Sequence, residues 1–155
     1  MRITDILQAD CVIAPLQVDD KQQAIDSLAN VLVQNTGVQD GEALRQAIWA
    51  REKTRTTGIG HGIAIPHGKA DGIDRLRMAV GLEPKGIEFG AIDGKPVDLI
   101  MLLASPSDQT GPHIQALARI SRMLTDEAFR NRLKQAPTGQ ALYDLIAEHE
   151  AAIAG

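Results

Sequence analysis

The sequence predicts an α/β fold in which helices pack on a central β-sheet, and three observations indicate this class. Amphipathic helical patterns occur towards both ends of the chain. Between them lie short apolar segments, among them the nearly continuous run PVDLIMLLA at 96–104, which is typical of a strand covered on both faces. No internal repeat or long linker divides these patterns, so we expect the helices and strands to form one layered domain.

Two helices are predicted before the strands, over residues 21–34 and 41–53. Apolar residues recur in them at helical spacing: Ile25, Leu28 and Leu32 in the first, and Leu44, Ala47 and Ile48 in the second. Aspartates stand where each helix is expected to begin, namely Asp19 or Asp20 for the first and Asp40 for the second. Their carboxylates can cap the exposed backbone N–H groups at these positions.

Three strands are predicted in the middle of the chain. The first is short and runs from Ile63 to Ile65, immediately before Pro66. The second covers residues 78–83 and the third covers 96–104. The glycine-rich residues around the first strand contain only short apolar pieces, which cannot form helices.

Three further helices are predicted after the strands. Pro112 suits the first turn of a helix running to about residue 124. Its apolar stripe is expected to comprise Ile114, Leu117, Ile120 and Leu124. Thr125 or Asp126 can cap the next helix, which is expected to bury Phe129 and Leu133. Thr138 can cap the last helix, whose buried residues are expected to be Leu142, Leu145 and Ile146. We expect a single domain over residues 1–155 with a core at about 3–149.

The composition argues against several classes of function. A net charge of −4, a pI near 5.5 and 3% aromatic residues are unlike a nucleic-acid-binding protein, which usually carries a basic face. The longest apolar runs, such as residues 99–104, are too short to cross a bilayer, so no membrane insertion is expected. Cys11 is the only cysteine, and a thiol without a partner fits a reducing compartment. We therefore expect a cytoplasmic protein.

The stretch GIGHGIAIPHGK at residues 58–69 contains four glycines, one proline and two of the four histidines in the chain. Glycines let another molecule approach the backbone closely, and Pro66 fixes the backbone just before His67. Because imidazole is nucleophilic at neutral pH, His67 can accept a group on a ring nitrogen and pass it on. A histidine in this setting can also bind a metal or act as a base.

The surroundings of this stretch favour an anionic group. Three cations precede it in the sequence, Arg51, Lys53 and Arg55, and a fourth, Lys69, is its last residue. Arginine can hold a phosphate through two parallel hydrogen bonds. His113 is expected in the first turn of the helix after residue 109, where exposed backbone N–H groups attract anions and disfavour a charged imidazole. These patterns predict that His67 and His113 face one shared phosphoryl group.

The residues RE…TTGIGxGIAIPHGK, PVDLIxLL and DQTxxH resemble the IIA components of the bacterial phosphoenolpyruvate-dependent phosphotransferase system (PTS). The fructose/mannitol class fits, its nitrogen-regulatory branch fits best, and the resemblance spans essentially the whole chain. It implies a mixed β-sheet with helices packed on both faces. It also implies that His67 is the phosphoryl acceptor, modified on Nε2, and that Arg51 and His113 support the phosphoryl group.

The resemblance further implies a phosphocarrier that exchanges its group with other proteins. The donor would be a histidine-containing phosphocarrier protein charged from phosphoenolpyruvate, and regulatory target proteins would respond to the phosphorylation state of His67. A phosphohistidine donor needs no cofactor, nucleotide or metal, and no independent turnover of a small molecule is expected. Because no membrane segment or carrier domain precedes the end of the sequence at Gly155, we expect a regulator rather than a transport subunit.

Three alternatives stay open from the residues alone. A IIA subunit of this class can instead pass phosphate to a fructose/mannitol-type IIB domain for sugar transport. A metal-dependent hydrolase would use His61, His67 and His113 as ligands, although the sequence has no HExxH pairing. A nucleotide-binding module would use the glycine-rich loop, which lacks the GK[ST] ending of a P-loop. The resemblance gives His61 no catalytic role.

Overall fold

The structure, a computed structural model, describes residues 1–154; Gly155, the last residue of the predicted domain, lies outside the described residues. Within residues 1–154, a single 3₁₀ turn at Ile3–Asp5 precedes six strands and five helices. The strands are β1 (Leu7–Ile13), β2 (Gly58–Gly60), β3 (Ile63–Ala64), β4 (His67–Ala70), β5 (Arg77–Ile87) and β6 (Val97–Pro106). The helices are α1 (Lys21–Asn35), α2 (Gly41–Thr54), α3 (Thr110–Met123), α4 (Glu127–Lys134) and α5 (Gly139–Ala154).

All of these strands belong to one mixed sheet that is organised around β6. The order of strands is β1-β5-β6-β3-β2, and β4 pairs with β6 on the same side as β3. β6 is antiparallel to β5 and parallel to both β3 and β4. Every residue of β6 except Asp98 is buried, which confirms the prediction of a strand covered on both faces.

β3 and β4 are two parts of one extended segment that runs along β6. Ile63 pairs with Leu99 and His67 pairs with Leu103, so the same register holds on both sides of Pro66. Proline has no N–H group to donate to the ladder, but the carbonyl of Pro66 still accepts from the N–H of Leu103 at 2.9 Å. The predicted strand therefore ends one residue early, and His67 begins a strand of its own.

Helices cover both faces of the sheet, as predicted. α1 packs on β1 and β5, α2 packs on β4, and these two helices contact each other. α5 packs on β1 and α4, while α3 packs on β6. The predicted aspartate caps are also present, because the carboxylates of Asp20, Asp40 and Asp126 each accept from the backbone N–H of the third residue of their helix.

Three strands, β1, β2 and β4, were not predicted from the sequence, and β5 is longer than the predicted 78–83. β1 is an end strand of the sheet, and the side chains of Gln8 and Asp10 are exposed, so it lacks the apolar run of β6. β2 and β4 span three and four residues and contain glycine. Their strand conformation depends on pairing with β3 and β6 and leaves little local pattern in the sequence.

The predicted apolar stripe of α3 was right at Ile120 and Leu124, which are buried, and at Leu117, which packs partly buried against the core, but wrong at Ile114. The buried residues of this helix are His113, Ala116, Ile120 and Met123, whereas Ile114 is 60% exposed. The imidazole of His113 turns inward, where the hydroxyl of the buried Ser105 provides a hydrogen bond at 2.7 Å. A polar side chain with a buried partner thus takes a core position, and Ile114 is left at the surface.

α2 lies directly on the backbone of β4 at Gly68. A Cβ atom at this position would lie 2.9 Å from the backbone N of Ile48 and 3.1 Å from the backbone C of Ala47. Such distances are shorter than van der Waals contact, and backbone atoms within a helix cannot move aside easily. Glycine at this position therefore sets how closely α2 approaches the strand that carries His67.

We expect Gly68→Ala to lower the free energy of unfolding by about 1–3 kcal/mol, because the added methyl group must push α2 away from β4. Urea denaturation followed by circular dichroism measures this change. Gly111→Ala is the matched control, since a Cβ there meets no atom within 4 Å. In a helix the control change should be neutral or stabilising by roughly 0.5–1 kcal/mol. Equal stability of Gly68→Ala and the wild-type protein would contradict the steric argument.

Candidate active site

The hydrogen bonding of His67 determines which of its ring nitrogens is available for chemistry. Its Nδ1 lies 2.8 Å from the carbonyl oxygen of Ile65. A carbonyl oxygen can only accept a hydrogen bond, so Nδ1 carries the proton in the neutral ring. Nε2 then holds the unshared electron pair. Pro66 separates the two partners, and its rigid backbone fixes the Ile65 carbonyl relative to the ring.

The environment of His67 favours the neutral form of its imidazole. Partial burial is the main cause that lowers the pKa of His67 below 6.5, and the nearby Arg51 guanidinium lowers it further. The hydrogen bond to Ile65 and the carboxylate of Glu52 oppose this shift. Because the net direction is downward, Nε2 keeps its electron pair at neutral pH.

His113 lies beside His67, as predicted, but it is buried. The centroids of the two rings are 5.4 Å apart and the ring planes are inclined at 56°. Burial lowers the pKa of His113 to about 4, with smaller contributions from His67 and Lys69. The main cause of the neutral state is therefore burial and not the exposed backbone N–H groups of the first turn. The backbone N–H of His113 itself donates to the carbonyl of Gln109, the residue before α3, at 3.1 Å.

Arg51 and His67 line the same open cleft, which has a volume of about 290 Å³. Arg51 lies in the last turn of α2 and is partly exposed. Its Nη1 donates to the carbonyl of Arg55 at 2.7 Å, just after the helix ends. The other residues that line the cleft are Arg55, Thr56, Thr57, Gly58, Ile59, Ile65, Ile92, Leu117 and Ser121. His113 is not among them and lies behind His67.

Glu52 is a buried acid next to Arg51 that the sequence analysis missed. Its carboxylate forms an ion pair with Lys21 at 2.9 Å and accepts from both the backbone N–H, at 2.9 Å, and the hydroxyl of Thr57. These bonds tie the end of α2 to α1 and to the start of the glycine-rich stretch. The signal was present in the sequence, because Glu52 continues the four-residue spacing of the buried Leu44 and Ile48.

Lys69 and His61 take positions outside the cleft. Lys69 is exposed and its Nζ donates to the hydroxyl of Thr110 at 3.1 Å, which links β4 to the start of α3. His61 is also exposed, in a left-handed turn with φ of 58°. Its carbonyl accepts from Lys134 and its N–H donates to Asp93 at 3.2 Å. The structure thus brings together Arg51, His67 and His113, and leaves His61 apart.

Comparison with known proteins identifies the family. Residues 5–149 match the family described as "Phosphoenolpyruvate-dependent sugar phosphotransferase system, EIIA 2". This chain belongs to that family. The EIIA 2 chain is 36% identical to a nitrogen regulatory protein of Bradyrhizobium diazoefficiens over 95% of each chain. It is 34% identical to a fructose-specific EIIA component of the PTS from Haloferax volcanii, over 96% of this chain and 98% of the relative.

Solved structures agree with this family assignment. The crystal structure of nitrogen regulatory protein IIA-Ntr from Neisseria meningitidis matches the EIIA 2 chain with a TM-score of 0.85 and 26% identity, covering 93% of this chain and 98% of that one. The recognised family, class and mixed-sheet fold are therefore confirmed, and the chain is a IIA component with a phosphocarrier or regulatory role. Within the described part of the chain, every helix falls short of the length and apolarity needed to traverse a bilayer.

The two alternatives from outside this family receive no support. Among residues 1–154, no group of three histidine, cysteine or acidic side chains is arranged to hold a metal ion, and His61 lies apart from the other two proposed ligands. A P-loop requires a glycine-rich loop that leads into a helix. The glycine-rich stretch of this chain instead forms β2, a turn and β3.

The buried, neutral His113 predicts that acid destabilises this EIIA 2 chain. An imidazole has a pKa near 6.5 in an unfolded chain and about 4 in the folded protein, so between these values the unfolded state binds the extra proton. The free energy of unfolding should then fall as the pH is lowered from about 6.5 towards 4, by up to about 1.4 kcal/mol per pH unit for one proton. The lowered pKa of His67 acts in the same direction.

Urea denaturation at about pH 7, 6 and 5 measures this dependence. His113→Gln removes the titrating group and should flatten the fall in stability. The exposed His61→Gln is the control and should leave the dependence as steep as in the wild-type protein. An unchanged slope in His113→Gln would show that the imidazole of His113 is not responsible.

Proposed function

We propose that this protein accepts a phosphoryl group on Nε2 of His67 from a histidine-containing phosphocarrier protein. The hydrogen bond from Nδ1 of His67 to Ile65, at 2.8 Å, carries this proposal because it leaves Nε2 with the electron pair that attacks phosphorus. In the transfer, the bond between phosphorus and the donor's ring nitrogen breaks as the bond to Nε2 of His67 forms. No cofactor, metal or nucleotide takes part in this step.

Arg51 is proposed to neutralise the incoming phosphoryl group, which carries up to about two negative charges. Arg51 and His67 line one cleft. Within residues 1–154, the guanidinium of Arg51 makes one hydrogen bond, from Nη1 to Arg55. Since a guanidinium has five N–H groups, several stay available for phosphate oxygens. His113, whose ring is 5.4 Å from that of His67, is proposed to donate the further hydrogen bond from the buried side.

The surface around the cleft suits docking of another protein. Three exposed isoleucines lie on or near its rim: Ile59, Ile92 and Ile114, with 41%, 66% and 60% exposure. Ile59 and Ile92 line the cleft directly, and Ile114 precedes the cleft residue Leu117 by one helical turn. A cluster of exposed apolar residues is a common feature of protein interaction sites. We propose that the phosphocarrier donor contacts these isoleucines while its histidine approaches His67.

We further propose that the phosphorylation state of His67 regulates other proteins in the cytoplasm. The resemblance of the whole chain to a nitrogen regulatory protein and to the IIA-Ntr structure supports this role, and the buried, unpaired Cys11 fits a reducing compartment. The second candidate is passage of phosphate to a fructose/mannitol-type IIB domain, and the resemblance to a fructose-specific EIIA component favours it. Both roles use the same acceptor, so they differ only in the protein that responds.

Incubation with phosphoenolpyruvate and the donor phosphocarrier cascade should add one phosphoryl group to the wild-type protein. The label is expected on His67, measured by mass spectrometry under non-acidic conditions because phosphohistidine is labile to acid. His67→Ala should abolish the label and His61→Ala should retain it. Labelling of His67→Ala at the wild-type level would contradict the assignment of His67 as the acceptor.

Arginine variants in the same assay test the supporting contacts. Arg51→Ala should slow phosphorylation by about 10- to 1000-fold, the effect of losing one charge-assisted contact to the transferring group. Arg51→Lys should restore the rate only in part, because lysine cannot form two parallel hydrogen bonds. Lys53→Ala, at an exposed site two residues away, is the control and should retain the wild-type rate. A wild-type rate for Arg51→Ala would exclude contact with the phosphoryl group.

The regulatory role predicts that proteins bind this chain in a manner that depends on phosphate. Affinity capture from the source organism should yield different soluble partners for phosphorylated wild-type protein and for His67→Ala. Identical partners in both states, together with rapid transfer of phosphate from His67 to a sugar-specific IIB domain, would instead establish the transport role.

A further inference from the structure

Ser105 is a completely buried residue whose hydroxyl contacts the ring of His113. It is near the end of β6, in register with Lys69 of β4. Its Oγ lies 2.7 Å from Nδ1 of His113. Across residues 1–154, this ring nitrogen is the only hydrogen-bond partner of the hydroxyl. A buried polar pair with no other partners restricts where its protons can reside.

The pair has two possible arrangements, and they differ in cost. If Nδ1–H of His113 donates to Ser105, the hydroxyl proton of Ser105 is buried without an acceptor. An unsatisfied buried polar group costs about 1–3 kcal/mol. If the hydroxyl donates to Nδ1, its proton is satisfied, and the single proton of the neutral ring resides on Nε2. The second arrangement satisfies the buried hydroxyl, and Nε2 of His113 is not among the buried side-chain atoms that lack a partner within residues 1–154.

We infer that Ser105 is a positioning residue that holds His113 as the Nε2–H tautomer, so that this N–H can donate to a phosphoryl group on His67. Nδ1 is occupied by Ser105, so Nε2 is the ring nitrogen left for such a contact. The two rings then have opposite tautomers: His67 carries its proton on Nδ1, opposite Ile65, and His113 carries it on Nε2. This inference rests on the proposed function, which provides the phosphoryl group.

The tautomer matters because His113 has only one proton to offer. Its burial keeps the ring neutral, with a pKa of about 4. A neutral imidazole donates from one nitrogen only. In the Nδ1–H tautomer, Nε2 would present an electron pair to the negatively charged phosphate oxygens and repel them. Ser105 thus acts on phosphoryl transfer through His113 without touching the phosphoryl group.

Long-range ¹⁵N–¹H correlation NMR of the unphosphorylated protein tests the inference directly. In the wild-type protein, Nδ1 of His113 should have the chemical shift of an unprotonated nitrogen and Nε2 that of a protonated one. In Ser105→Ala, the two shifts should move towards each other as both tautomers become populated. Ser121→Ala removes an exposed hydroxyl that lines the cleft and should leave both shifts unchanged.

Kinetics provide the second readout. Ser105→Ala should lower kcat for phosphorylation by about 10-fold, while the KM for the donor protein stays unchanged because the docking surface is intact. Ser105→Cys keeps a similar volume and a weak donor, and it should recover part of the rate. It also serves as the folded variant if alanine destabilises the core. Unaltered His113 shifts and an unaltered kcat in both variants would overturn the positioning role.

The outcomes separate this inference from the proposed function. A wild-type His113 protonated on Nδ1 would overturn the inference even if His67 accepts the phosphoryl group. A label found on a residue other than His67 would overturn the proposed function, while the tautomer of His113 would stand as measured.

Discussion

The close contact between α2 and β4 is the constraint on which the site depends. Gly68 lets the backbone of the helix lie against the strand at Ala47 and Ile48. His67 precedes this glycine in β4, and Arg51 follows Ile48 by one helical turn. Backbone packing therefore sets the distance between the chain segments that carry His67 and Arg51. Glu52 reinforces this packing, because it joins the end of α2 to α1 and to the glycine-rich stretch.

The positive charge of the site lies near the surface, and its more buried side chains are neutral. The cation of Arg51 remains partly exposed in the cleft, where water can solvate it until an anion arrives. His113 is buried and His67 is partly buried, and burial lowers the pKa of both imidazoles, which favours their neutral forms. A buried cation at His113 would carry a large desolvation cost, which a neutral ring avoids. The buried His113 can therefore act on a group in the cleft through a directed hydrogen bond and not through a positive charge.

Sequence patterns predicted the elements whose signals are local. The helices follow periodic apolar residues, with aspartate caps at α1, α2 and α4, and β6 follows a nearly continuous apolar run. β2 and β4 were missed because their conformation depends on partners distant in the sequence. The same limit applies to the site. Arg51, His67 and His113 were predicted from motifs, whereas the hydrogen bonds of His67 to the Ile65 carbonyl and of His113 to Ser105 depend on the fold and were not predicted. The burial of His113 could not be predicted from its polar side chain, because its hydrogen-bond partner, Ser105, lies on a different element.

The bond between His67 and the Ile65 carbonyl also bears on how easily an accepted group can leave. A phosphorylated ring departs as a neutral imidazole only if its other nitrogen is protonated; otherwise it departs as an imidazolate, a far stronger base and a poorer leaving group. The Ile65 carbonyl lies 2.8 Å from Nδ1 of His67, and in the proposed transfer this bond would stabilise the proton on Nδ1 before and after the ring accepts the phosphoryl group. If His67 is the acceptor, as proposed, this backbone oxygen would let the ring accept and release the phosphoryl group without a proton entering or leaving the site.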